Sequence, residues 1–304
     1  MIDIFQSHTT TQDLLTKLAL AGTAIGDAFG QCFFNTRPQI EQWLSQKQLP
    51  PAPWYFTDDT IMTTGLVQHL FQQGAILQDQ LAYIWASNYQ KDISRGYGGT
   101  AHKILREISE GRPWKEAATE VFSGMGSMGN GAAMRVAPLG AFYSKNMSKL
   151  IEQARLSAQI THANEEAQAG AVAVAVAAHL AAYATSTGNH WLEQIAEQTP
   201  PSDTKDKILK SLTLPNSYRI ETITHALGNG HQMLAQDTVP LALWCAAHHL
   251  DDFAQALWRT VSALGDRDTT CAIVGGIVAL RVGWDGIPQA WSTATENITQ
   301  SWLV

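Results

Sequence analysis

Apolar residues in this chain recur every three or four positions, and that spacing points to helices almost throughout. Near the start, Leu14, Leu15, Leu18, Ala21 and Ile25 share one face of a 3.6-residue repeat, with Thr9 to Thr11 available as caps. The same periodicity predicts helical faces around 60–73, 77–90, 100–110, 145–160, 165–187, 203–213, 219–234, 240–262 and 269–283. Alternating runs bounded by paired turn signals, the mark of strands, are nearly absent. Proline and glycine fall between the helical segments, as at Pro50 to Pro53, Gly111 to Pro113 and Pro200 to Pro201. Small residues dominate Ala167 to Ala182 and Ala272 to Leu280, which lets helix axes approach closely. With 304 residues, 45% of them apolar and 15% charged, the chain can fill one large core. A single domain over 1–304 is the simplest organisation, with a weak break signal at Pro200 to Ser202.

Composition narrows the function classes. The net charge of −7, with no Lys/Arg block, disfavours a nucleic-acid surface. The most apolar stretch, Ala169 to Tyr183, is mostly alanine, contains His179 and is too short to span a bilayer, so a buried helix is expected and no membrane partner. Cys32, Cys245 and Cys271 are scattered with no CxxC pair, which fits a reducing compartment and offers no zinc signature. The N-terminus lacks the basic stretch and apolar run of a signal peptide, so a cytoplasmic location is expected.

Two acidic clusters each open a helical pattern. One is Thr57-Asp58-Asp59-Thr60; the other is Gly265-Asp266-Arg267-Asp268-Thr269-Thr270. Capping explains one carboxylate per helix, because Asp and Thr satisfy orphan N–H groups and suit the helix dipole. Each cluster then has an acid to spare. Carboxylate and hydroxyl oxygens are hard ligands suited to Mg²⁺, Mn²⁺ or Ca²⁺. Four carboxylates brought together would repel unless cations neutralised them, and two divalent ions ~3.5–4 Å apart would do so. His248 and His249 are adjacent and point apart on a helix, so they read as surface or helix-end residues.

Between the clusters, Gly124-Met125-Gly126-Ser127-Met128-Gly129-Asn130-Gly131 leads to Arg135. Glycine-rich loops expose backbone N–H groups to anionic oxygens. No Gly-Lys-Ser/Thr follows and no strand precedes, so this is neither a Walker A loop nor a dinucleotide fingerprint. A flexible connector is the plain alternative. Arg135 could serve a phosphate or an internal carboxylate. His162, before the alanine-rich helix, reads alone as structural; Asp92 lies in a flexible loop running to Gly99, and Trp54-Tyr55-Phe56 reads as a core anchor.

In this order the pieces resemble the ADP-ribosylglycohydrolase family, which includes the dinitrogenase reductase-activating glycohydrolases. The matching residues are Gly22 to Gly30 with Gly26-Asp27, Phe56 to Thr60, Gly126 to Pro138, Thr161-His162, Gly265 to Thr269, and the closing Gly275-Gly276 to Pro288. The resemblance implies an all-α fold, a compact orthogonal multi-helix bundle, with two divalent cations, Mg²⁺ or Mn²⁺. It implies that Thr57, Asp58 and Asp59 bind metal from one side and Asp266, Asp268 and Thr269 from the other. ADP-ribose would lie along Gly126, Ser127, Met128, Gly129, Asn130 and Gly131, touched by His162, and Asp92 would match an acid near the scissile side chain of arginine-specific members. Family members often carry a Glu where this chain has Phe34, and Glu41 is the nearest substitute expected.

The expected activity is hydrolysis of the bond at C1″ of protein-linked ADP-ribose, with arginine the expected side chain. Asp58, Asp59 and Asp268 would hold the metals and accept a proton from water. Three other readings stay open: a non-catalytic ADP-ribose binder, an immunity factor that blocks an ADP-ribosylating toxin or transferase by contact, and a Mg²⁺-dependent phosphoester hydrolase.

Overall fold

The computed structural model describes residues 10–302. Sixteen α-helices run through them, and the only β pairings among these residues are two isolated bridges, Trp54 with Thr295 and Gly129 with Leu234. Helix α1 (Thr11–Gln31) starts at a reciprocal cap: Asp13 N–H donates to Thr10 Oγ1 (3.1 Å), and Thr10 N–H donates to Asp13 Oδ2 (3.2 Å). The short α2 (Arg37–Gln46) precedes an extended aromatic segment that leads into α3 (Asp58–Gln73). Helices α4 (Gln78–Lys91), α5 (Gly99–Ser109) and α6 (Trp114–Thr119) follow. The glycine-rich segment then ends in a single 3-10 turn, Asn130–Ala132.

Helices α7 (Ala137–Phe142), α8 (Met147–Gln159) and α9 (Glu165–Tyr183) form the middle of the chain. They are followed by α10 (Gly188–Gln198), α11 (Asp203–Ser211), α12 (Ile220–Leu227), α13 (Ala235–His248), α14 (Phe253–Val261), α15 (Arg267–Val282) and α16 (Gln289–Ala294). Helix α9 is apolar on every side, so it sits in the core, with α7, α8, α10, α13 and α15 packed around it. No helix among the described residues is long and apolar enough to cross a membrane.

The pairing of α1 with α15 organises the site. Gly22, Gly26 and Gly30 lie one turn apart on α1. A β-carbon at these positions would come within 2.2 Å of Gly275 O, 2.0 Å of Cys271 O and 2.2 Å of Arg267 O. Only a side-chain-free stripe lets the two backbones touch. The contact holds the start of α15, and so the second acidic cluster, beside the end of α1. Phe29, Phe33, Trp43, Trp54, Trp258 and Trp291 pack into one aromatic cluster behind it. Trp54 and Phe56 are buried anchors, as expected of that run, while Tyr55 is exposed.

Several boundaries differ from the periodic reading. The span 240–262 is two helices, broken at His249 to Asp252, where Asp252 caps α14 by accepting from Gln255 N–H (3.0 Å). The span 219–234 ends as a helix at Leu227, because Gly228 takes φ +96°, and 228–234 is a loop. Helix α9 stops at Tyr183, and α2, α7, α10 and α16 fall outside the spans that periodicity predicts. The turn at 200–202 joins two helices over a shared core: Glu166 on α9 accepts from Thr204 N–H (2.7 Å) and Asp203 N–H (3.0 Å) at the start of α11.

Candidate active site

A cavity of about 650 Å³ opens where α1, α3, α15, the glycine-rich loop and the 228–234 loop meet. Asp58, Asp59, Asp266, Asp268 and Thr269 line it, together with Gly126 through Gly131 and His162. Clusters separated by some two hundred residues in sequence therefore share one cavity.

The first cluster is held by an acid behind it. Asp27, wholly buried on α1, accepts from Thr57 N–H (2.9 Å), Thr57 Oγ1 (2.9 Å), Thr60 N–H (3.1 Å) and Thr60 Oγ1 (2.6 Å). It thereby fixes the first turn of α3. Thr57 also caps that helix, accepting from Asp59 N–H (3.3 Å). Neither Asp58 nor Asp59 is used as the cap, and both point into the cavity. Arg95 O accepts from Asp58 N–H (2.7 Å), and Arg95 is in turn pinned by its ion pair with Glu296.

In the second cluster the capping explanation fails outright. Asp266 occupies the N-cap position of α15, but its side chain makes no cap hydrogen bond. Instead it accepts from Asn130 Nδ2 (2.6 Å), whose other bond goes to Thr238 Oγ1 (2.9 Å). Asn130 thus ties the glycine-rich loop to the acids. Among the described residues, Asp59 Oδ2 and Asp268 Oδ1 are buried with no hydrogen-bond partner.

Burial dominates the electrostatics. It pushes Asp27 up to about 6, against the pull of the Thr60 and Thr57 hydrogen bonds. Burial, then the charge of Asp27, pushes Asp58 up to about 8. Asp59 is raised well above the ordinary carboxylate range by burial, Asp27 and Asp268. Asp268 is raised likewise by burial, Asp266 and Asp27, while Asp266 rises by burial against its hydrogen bonds from neighbours. A group of crowded, desolvated acids with two orphaned oxygens is the environment a hard cation relieves. Among the described residues no three acidic, thiol or imidazole side chains already surround a single ion-sized point. Mg²⁺ does not need that, since it keeps several waters and takes one or two carboxylates.

On the opposite wall, Gly126 takes φ +71°, and a β-carbon there would lie 2.8 Å from Asn164 N, so the loop can follow this path only with glycine. The loop is stitched to 233–235 by Asn130 N–H donating to Met233 O (3.0 Å) and Ala235 N–H donating to Met128 O (2.9 Å). Phe122, Met125 and Met233 stand more than half exposed on the rim and offer apolar area to a flat ring.

A family model described as ADP-ribosylglycohydrolase matches residues 10–304. The chain belongs to the ADP-ribosylglycohydrolase family. It is similar to mouse ADP-ribosylhydrolase ARH3, with 31% identity over 93% of this chain and 87% of the relative. Human ADP-ribosylhydrolase ARH3 is 30% identical over 93% of this chain and 89% of its own length. A solved structure, titled ADP-ribosylglycohydrolase-related protein complex, superposes with a TM-score of 0.67 at 23% identity, covering 94% of this chain and 93% of that one, which shows the shared fold. The all-helical expectation and the family resemblance both hold, and the chain is a hydrolase of this family.

Thr57, Asp92 and Glu41 do not line the cavity, and Arg135 has partners other than the expected carboxylate. Thr57 is not on the cavity wall; its hydroxyl holds Asp27 and caps α3. Asp92 lies outside the cavity lining, where its carboxylate accepts from Ser94 Oγ (2.6 Å) and Arg95 Nε (3.1 Å), so it is committed to its own loop. Glu41 is exposed and paired with Arg37 (2.7 Å), so it does not supply an acid to the cavity. Phe34 does line the cavity, with the Arg267 guanidinium 4.6 Å from its ring centroid. Among the described residues Arg135 makes no hydrogen bond to a carboxylate; it is buried over Trp85 and donates to Ser157 O and Thr161 Oγ1. Asp27 was missed as a site residue although it stands inside the quoted glycine motif. Its role needs α1 and α3 side by side. Phe122 and Met233 carry no sequence signal at all.

Proposed function

We propose that this ADP-ribosylglycohydrolase uses divalent cations to hydrolyse the glycosidic bond between ADP-ribose and a protein side chain. The observation that carries the reading is the pair of orphaned carboxylate oxygens, Asp59 Oδ2 and Asp268 Oδ1, brought from the two ends of the chain to one cavity. Asp58, Asp59, Asp266, Asp268 and Thr269 would hold two Mg²⁺ or Mn²⁺ ions. Such ions supply neutralising charge and make a bound water more acidic. The glycine-rich loop offers backbone N–H groups to the diphosphate, and His162 lies beside it. Asp58, Asp59 or Asp268 accepts the proton as water attacks C1″, and the carboxylates stabilise the oxocarbenium character of the transition state. ADP-ribose leaves intact, and the side chain departs with its heteroatom, which takes up the proton that the carboxylate accepted from water.

Arginine is the side chain that the resemblance implies, yet Asp92 stands off the cavity. The test therefore offers arginine-linked and serine-linked ADP-ribosylated protein side by side, with Mg²⁺ or Mn²⁺, and identifies products by mass spectrometry. Intact ADP-ribose should appear, and Asp58→Ala and Asp268→Ala should each slow its release by at least roughly 100-fold. Undiminished release by either variant overturns the assignment, as does tight binding with no release by the native protein.

A further inference from the structure

The wall of the cavity at His162 stands on a chain of hydrogen bonds that begins at Arg135. Arg135 is fully buried, its guanidinium 3.9 Å from the centroid of the Trp85 ring. Its Nη2 donates to Ser157 O (3.1 Å) and to Thr161 Oγ1 (2.8 Å). A guanidinium has no acceptor, so Thr161 Oγ1 accepts there and keeps its own hydrogen to give. Thr161 is 1% exposed, and the other side-chain group bonded to its hydroxyl is His162 Nδ1, at 2.8 Å.

That contact can run in two directions, and only one uses the hydroxyl hydrogen of Thr161. If Nδ1 carried a proton, two donors would meet one hydroxyl oxygen, and the hydroxyl hydrogen would be left buried without an acceptor. A buried donor left without an acceptor is a cost the folded state avoids. With Nδ1 as the acceptor, the hydrogen of Thr161 is placed and the ring proton resides on Nε2. The Nε2 edge faces the glycine-rich loop: β-carbons at Gly129 and Gly131 would lie 3.0 Å from Nε2 and from Cε1. Within the described residues no protein acceptor meets Nε2, which borders the cavity.

We propose that Arg135 and Thr161 lock His162 as the neutral Nε2–H tautomer, a fixed hydrogen-bond donor to an oxygen of the bound nucleotide sugar and not a base. The ligand part of this statement rests on the proposed function; the tautomer does not. Arg135 and Thr161 are then positioning residues that act through His162. Burial, and after it the charge of Arg135, also oppose a second proton on the ring.

The test is a two-bond proton–nitrogen correlation spectrum of the full chain labelled with ¹⁵N-histidine, with His162→Gln identifying the signals. The native ring should show an unprotonated Nδ1 and a protonated Nε2, unchanged from about pH 5.5 to 8. Thr161→Val, nearly the same shape, should shift those signals and weaken ADP-ribose binding roughly ten-fold, while Thr161→Ser should restore both to within about two-fold. A native Nδ1–H ring overturns the proposal, and so does a Thr161→Val variant with unchanged ring signals and affinity. The proposed tautomer in a protein that binds no ADP-ribose would instead overturn the functional reading and leave the lock standing.

Discussion

His162 carries a ring whose Nδ1 edge rests on Thr161, and burial followed by the charge of Arg135 pushes its pKa down to about 3. The unfolded value is about 6.5, so between the two the unfolded chain binds a proton that the folded one refuses. The neutral ring is compatible with full stability above pH 6.5, and that stability is lost as pH falls from 6.5 toward 3. Urea unfolding at pH 7 and pH 5 measures it. Native protein should lose about 2 kcal/mol more than His162→Gln over that interval; equal losses would refute the burial argument. Asp27 teaches the complementary lesson. Its position in Gly26-Asp27 was visible in the sequence, but its work is done on Thr57 and Thr60, thirty residues away on another helix.

Between α1 and α15 the determining property is the absence of side chains. The small-residue character of both segments was legible, and so were their helical faces, because periodicity is a local property. Which helix each stripe meets was not legible, since a glycine stripe is complementary to any close backbone. Gly26→Ala places a β-carbon 2.0 Å from Cys271 O, and backbone atoms cannot step aside as a flexible side chain would. The variant should lose roughly 3 kcal/mol, the upper end of overpacking costs. Any folded fraction should have its two acidic clusters spread and its activity reduced further. Chemical denaturation and the release assay check this, and native-like values in both would dismiss the stripe as incidental. The misplaced boundaries at 228–234 and 249–252 have local causes: Gly228 takes φ +96° and Asp252 caps α14, stops that the apolar spacing on either side does not register.

Across the whole molecule, the fold gathers four acids from both ends of the chain, with Asp27 behind them, and burial keeps water from screening them. Without cations, Asp27 and Asp58, raised to about 6 and about 8, hold protons in the folded state that the unfolded chain releases near pH 4. The stability this contributes is complete below about pH 4 and is lost as pH rises through 8. Chelated protein should therefore melt at a lower temperature at pH 8 than at pH 6. Millimolar Mg²⁺ should raise the melting temperature more at pH 8, because the cation then displaces fewer protons. Asp268→Asn should shrink that gain, and a melting curve indifferent to chelator and pH would remove the cation reading.

What the amino-acid order decided alone was local: helices from spacing, caps from Thr10 and Thr57, a glycine loop obliged by Gly126, and acids supplied beyond what capping uses. Packing decided the rest. It turned Asp92 and Glu41 away from the cavity, recruited Asp27, Phe122 and Met233, and aimed Asp59 and Asp268 at one space. The reason is physical: a residue's conformational preference is felt within a turn or two, whereas its electrostatic partners are chosen by whichever buried surfaces fit together.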